Sequence, residues 1–194
     1  MRLKILQVGE QVLRQKARPL TAEEICSPSI QQLIEMMRET MRDAPGVGLA
    51  APQVGMPLQL AVIEDQAEYM KGMSRDEIKE RERTPVPFQV IINPSIAIVE
   101  NTAAEFFEGC LSVAGFSALV PRARTVRVRC LNERGEPIEI NARGWYARIL
   151  QHEIDHLHGR LYTDLMDPRT FMTTTNYARY WKDQAIAAVS AALK

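Results

Sequence analysis

The chain has 194 residues, 46% of them hydrophobic, and its 24 basic residues balance 24 acidic ones. That length supports one domain with a substantial buried core, and the neutral balance leaves no footprint for sequence-specific nucleic-acid binding. Three widely spaced cysteines, Cys26, Cys110 and Cys130, argue against a disulfide framework and for a reducing compartment. No run approaches the roughly 20 apolar residues that span a bilayer, so no membrane partner is expected.

Residues 1–22 read as an irregular arm whose first residues carry charges and lack the apolar stretch of a signal peptide. A helix follows: Ile30, Leu33, Ile34, Met37 and Met41 recur at three- and four-residue spacing, with Ser27 as N-cap and Pro28 in the first turn. It should stop near Ala44-Pro45-Gly46. Residues 46–55 are small and aperiodic, and Leu58–Ile63 reads as a strand. Eleven of the 23 residues from 65 to 87 are charged, which predicts a solvated surface excursion with some helix.

From Val90 to Ile140 the pattern is β. Val90–Asn93, Ala97–Val99 and Ala104–Phe107 are β-rich, Val126–Cys130 alternates with period two, and Asn132–Gly135 reads as a hairpin turn into Ile138–Ile140. Trp145–Leu157 returns to helical spacing, and an alanine-rich tail, residues 170–194, predicts one more helix. The expectation is a single α+β domain over 1–194, with antiparallel strands around a central helix and a helix near each end.

That central helix carries His152-Glu153-Ile154-Asp155-His156. Residues four apart on a helix differ by about 400°, so the two imidazoles lie roughly 40° apart on one face and can reach one metal ion. Glu153 sits beside them, placed for proton transfer on an activated water. His158 falls about 240° from His152 and points elsewhere. The rest of the coordination sphere separates the possible enzymes. The metzincin third-histidine position holds Tyr162, and no glutamate follows Glu153, leaving Asp164 or Asp167 formally available downstream. The better candidate is Cys110 in Glu108-Gly109-Cys110-Leu111-Ser112: a thiolate is a strong ligand, and Gly109 allows close backbone approach. Cys130, on the Val126/Val128 face, reads as a small buried hydrophobe, and Cys26 as structural.

Gly46–Gly55 (GVGLAAPQVG), Glu108–Ser112 (EGCLS) and Gln151–Leu157 (QHEIDHL) resemble, in the family's order, the three signature motifs of peptide deformylases. The likeness runs over most of residues 3–170, including Val12-Leu13-Arg14. The 65–87 excursion, Gly144-Trp145 and Pro168–Phe171 resemble the branch found in plant and animal organelles and some bacteria. With no presequence, a bacterial cytoplasmic protein is expected rather than one of an organellar matrix.

The resemblance implies removal of the formyl group from N-formylmethionyl nascent peptides. Cys110, His152 and His156 would hold one divalent ion, ferrous iron natively, with zinc, nickel or cobalt as substitutes. Glu153 would be the general acid and base, and Gln53 with the Leu111 backbone N–H would form an oxyanion hole. Val47, Phe106, Trp145 and Ile149 would line the methionine pocket, and the backbone near Gly48 would pair with the peptide. The ribosome near the exit tunnel would be a further partner. The chain departs from the family pattern at Ala114 and Ser117, where proline and arginine are frequent, which bears on recognition beyond methionine. Two rivals stand beside this reading: a zinc peptidase of the HExxH type, told apart by internal against N-acylated peptides, and a metal-containing ribosome-associated protein without turnover.

Overall fold

The computed structural model describes residues 2–194. The N-terminal arm is more ordered than its sequence suggests. Gln11–Arg14 form a 3-10 turn, and Ala22–Ile25 form a helical turn, α1, closed by a capping box between Thr21 and Glu24. Helix α2, Pro28–Asp43, follows with the Ser27 hydroxyl accepting from the Ile30 N–H at 3.4 Å. Its five predicted apolar positions are all buried.

The main sheet has five antiparallel strands in the order β1-β2-β3-β6-β7: β1 Gly48–Ala50, β2 Leu60–Asp65, β3 Val86–Ile98, β6 Thr125–Leu131 and β7 Pro137–Arg143. Helix α3, Arg75–Glu80, lies between β2 and β3. Strand β2 is apolar on both faces because the sheet is covered on both: Leu60 and Val62 pack toward α2, while Ala61 and Ile63 pack toward α4, Gly144–Leu157. A second sheet, in the order β4-β5-β8, contains β4 Ala103–Cys110, β5 Val113–Ala123 and β8 Met172–Thr173. Helix α4 thus runs between two sheets, the antiparallel α+β arrangement expected.

Four differences from the sequence reading have physical causes. The two β runs around residue 93 are one strand, β3, interrupted by a bulge between Ile92 and Ser95. Asn93 sits there at φ 50°, its side chain bonded to the backbone N–H and carbonyl of Leu20. Strands β1 and β5 went unread, the first too short and the second too mixed for a period-two signal. The excursion is not solvated throughout: Asp65, Arg83 and Val86 are withdrawn from solvent, and the Asp65 carboxylate is fully buried in a bidentate pair with Arg83 at 2.8 Å. The tail is not one helix. It breaks into β8, a turn α5 (Thr174–Asn176), a π turn (Tyr177–Trp181) and α6 (Ile186–Leu193). Pairing of Met172 and Thr173 with β5 and the tilted ring contact of Tyr177 with Phe107 fix the chain before α6 seats Val189 on the second sheet.

No helix among the described residues is long and apolar enough to cross a membrane.

Candidate metal centre

Helix α4 presents His152 and His156 one turn apart, with ring centroids separated by 5.0 Å. Cys110 comes from the end of β4, where the pairing with β5 shifts register between Gly109 and Cys110. The sulfur lies 3.3 Å from His156 Nε2, and one ligand atom from each of Cys110, His152 and His156 falls within 4.8 Å of the others. His152 Nδ1 contacts a Glu108 carboxylate oxygen at 3.0 Å, which leaves Nε2 for the cluster. Two imidazoles and a thiol so close suit one divalent cation. Burial opposes the charge on His152, but its bonds to Cys110 and Glu108 outweigh that and raise its pKa well above the ordinary value. Burial, with the charges of His152 and Arg122, pushes His156 well below it.

Gln53 stands on the 3-10 turn Ala51–Val54, almost wholly buried. Its Oε1 accepts from the Ala50 N–H at 2.8 Å, and its Nε2 donates to Ser112 Oγ at 3.2 Å and to Cys110 Sγ at 3.5 Å. The Ser112 N–H also points at the sulfur, 3.4 Å away. Glu153 is buried against β1, and its Oε2 has no hydrogen-bond partner. Burial raises its carboxyl to about 7, with Glu108 adding and His152 and Arg122 subtracting. A Cβ on Gly48 would lie 2.2 Å from Glu153 Oε1, so only glycine leaves room for the carboxylate there.

Around the centre lies a buried ionic network that the sequence reading missed. Glu108 receives Arg122 through two bonds of 3.0 Å and Arg148 at 2.6 Å. Arg122 also binds Asp155, which binds Arg160 at 2.8 Å. Burial would raise the Glu108 carboxyl, but His152 and Arg122 hold it well below the ordinary range. Burial likewise brings Arg148 down to about 10, although Glu108 opposes it. Glu108 and Asp155 both stood inside the quoted motifs, and their adjacency to ligands was the only signal available.

A cavity of about 460 Å³ opens over the centre. Val47, Gly48, Gln53, Gly109, Cys110 and Leu111 line it from the strand side, and Trp145, Ile149, His152 and Glu153 from α4. His156 lies beneath it, 1% exposed. Phe106 does not line this cavity. Side chains alternate along β4, so Phe106 faces α4 on the same side as Glu108 and packs edge-on to Trp145 with centroids 6.2 Å apart, whereas the Phe107 side chain packs with Leu119 and Val189 on the other side. Ala114, Gly115, Phe116 and Thr174 form the far rim, and Ser117 is buried.

A thiol and two histidines of one HExxH helix, beside a buried glutamate and an open cavity, define a metal-dependent hydrolase centre. The profile of the polypeptide deformylase family matches residues 2–171, and the chain belongs to that family. It is 51% identical over 172 residues to a chloroplastic peptide deformylase 1A of Solanum lycopersicum, covering 89% of this chain and 62% of that protein. It is 50% identical over 172 residues to a chloroplastic/mitochondrial peptide deformylase 1A of Arabidopsis thaliana, covering 89% of this chain and 64% of that one. The chain therefore spans less than two thirds of the length of these two relatives. Among solved structures, the Met-Ala-Ser-bound class I type b peptide deformylase of Acinetobacter baumannii superposes with a TM-score of 0.76 at 32% identity, over 86% of this chain and 99% of that one. The two plant relatives overturn the expectation of a bacterial cytoplasmic protein: both are organellar deformylases. Neutral charge and unpaired cysteines suit both compartments equally, so composition could not separate them.

Proposed function

We propose that this protein removes the formyl group from N-formylmethionyl peptides and releases formate. What carries the reading is the meeting, at one cavity, of the Cys110/His152/His156 donor set with the buried, partnerless carboxylate oxygen of Glu153. A divalent cation held by those three residues would supply Lewis acidity, polarising the formyl carbonyl and making water a better nucleophile near neutral pH. Ferrous iron is the resident ion in this reading, and the same donors accept zinc, nickel or cobalt.

Glu153 takes a proton from water as the water oxygen bonds to the formyl carbon. The C–N bond then breaks, and Glu153 returns the proton to the departing amine nitrogen. A carboxyl raised to about 7 suits both halves of that exchange. The Gln53 amide and the Leu111 N–H donate to the oxygen that gains charge, each donor contributing about 3–4 kcal/mol to the transition state. Gln53 is held in place through its Oε1 by the Ala50 N–H, and its Nε2 turns from Ser112 Oγ and Cys110 Sγ to make that bond. Val47, Trp145 and Ile149 receive the methionine side chain, with Phe106 backing Trp145 from behind. Gly109 allows the formyl end to approach closely, and the main chain at Gly48 on the edge strand β1 pairs with the peptide as an added strand. The partners are nascent N-formylmethionyl chains and, through them, the ribosome near its exit tunnel.

The test is formate release from formyl-Met-Ala-Ser by anaerobically purified protein, with metal measured on the same sample. Release near one metal per chain, abolished in Cys110→Ala, is expected. A fully metallated protein that releases no formate refutes the proposal.

A further inference from the structure

The charged excursion reaches the cavity from behind through Trp145. Its return limb lies directly on the first turn of α4: a Cβ added at Gly144 would meet the Arg81 carbonyl oxygen at 2.8 Å and Glu82 Cβ at 2.5 Å. Glu82 ties this limb down through Arg124 at 3.0 Å and Arg143 at 2.5 Å. Arg83 is anchored by the buried Asp65 carboxylate, and its guanidinium lies 5.3 Å from the Trp145 ring centre. Arg81 makes no ion pair among the described residues. Its guanidinium faces aromatic rings, 5.0 Å from Trp145 and 5.8 Å from Phe106. Arg148, held by Glu108, adds a third cation 5.8 Å from the same indole.

Trp145 cannot be fixed by its own polar atom, since its Nε1 is buried without a hydrogen-bond partner. What orients the ring is the edge of Phe106 and the guanidinium groups around it. Two of those three cations come from the excursion.

We propose that Arg81 and Arg83 are positioning residues for Trp145, so that the 66–85 segment sets the cavity's selectivity for the side chain next to the formyl group. This rests on the deformylase reading and deepens it. The excursion is then a strap that stiffens one wall of the side-chain pocket and leaves the reacting groups untouched. Its effect belongs in KM and in the ranking of substrates.

Two variants test it: Arg81→Met, and Arg83→Met combined with Asp65→Asn so that no buried carboxylate is stranded. Both are made in the metallated full chain, with Trp181→Phe as background so that Trp145 is the sole tryptophan. Formyl-Met-Ala-Ser is compared with formyl-Ala-Ala-Ser, and the emission maximum of Trp145 is recorded. In each variant the methionine-over-alanine preference should fall roughly 3- to 10-fold through KM, with kcat within about twofold, and the emission should shift. Arg81→Lys should restore most of the preference. Folded, metallated variants with unchanged preference and emission overturn the inference while leaving the activity standing. A parent protein that releases no formate overturns the functional reading, and this inference with it.

Discussion

Replacing Gly48 with alanine tests whether Glu153 acts from where its carboxylate rests. The new Cβ would stand 2.2 Å from Oε1, 2.5 Å from Cδ and 2.7 Å from Cγ of Glu153. All three lie inside the roughly 3.4 Å of ordinary contact, so the carboxylate must retreat by about 1 Å or more. Rotating the carboxylate does not relieve the clash, because Cγ is involved and the side chain is only 4% exposed. Overpacking of this kind costs about 1–3 kcal/mol of stability, while an alanine in extended backbone recovers about 0.5–1 kcal/mol over glycine. Catalysis should suffer more. A displacement near 1 Å costs on the order of 100-fold, and loss of the proton carrier 100- to 10,000-fold. The assay is kcat/KM for formyl-Met-Ala-Ser, with metal content and thermal midpoint measured alongside. Gly48→Ala should retain its metal and lose at least 100-fold in kcat. In a Glu153→Gln background the same substitution should cost little more, since groups acting as one unit are not additive. A Gly48→Ala protein with kcat within about threefold of the parent would refute the reasoning.

Glu153→Ala should keep its metal and lose roughly 100- to 10,000-fold in turnover; equal loss of metal, measured by elemental analysis, would make the residue structural. Glu108→Gln weakens the partner of His152 Nδ1 and leaves Arg122 and Arg148 short of their countercharge. Chelator competition should show metal affinity down about 10- to 100-fold, and denaturant unfolding a loss of about 3–5 kcal/mol. Arg42, itself partly exposed, holds the Glu64 carboxyl below its ordinary value of 4.5, more than offsetting the opposing effect of burial. The folded value is thus the lower one, so this pair's stabilisation is complete above about pH 4.5 and lost as pH falls through the depressed folded value. With Arg42 partly exposed the contribution is about 1 kcal/mol or less, and Glu64→Gln should flatten the acid limb of the stability curve by that amount.

What the sequence discloses divides according to how many elements must be known at once. The His152/His156 pair needs only the pitch of one helix, and it stands where the pitch puts it. Phe106 needed more. Whether it or Phe107 faces α4 depends on the register of β4 against β5, where Phe106 opposes Val120 and Phe107 opposes Leu119, and a shift of one residue exchanges the faces. The Glu108–Arg122–Asp155 network needed three elements together, since its members are 14 and 33 residues apart and no periodicity announces a buried charge. The excursion is the sharpest case. Its charge count correctly predicts a solvated average, yet its structural role falls to the residues that escape the average. Asp65 can be buried only because Arg83 reaches it, and Arg83 is held beside Trp145 by that pairing. A charged segment therefore braces an apolar wall, and nothing short of the pairing partner could have separated Arg83 from the rest of the surface.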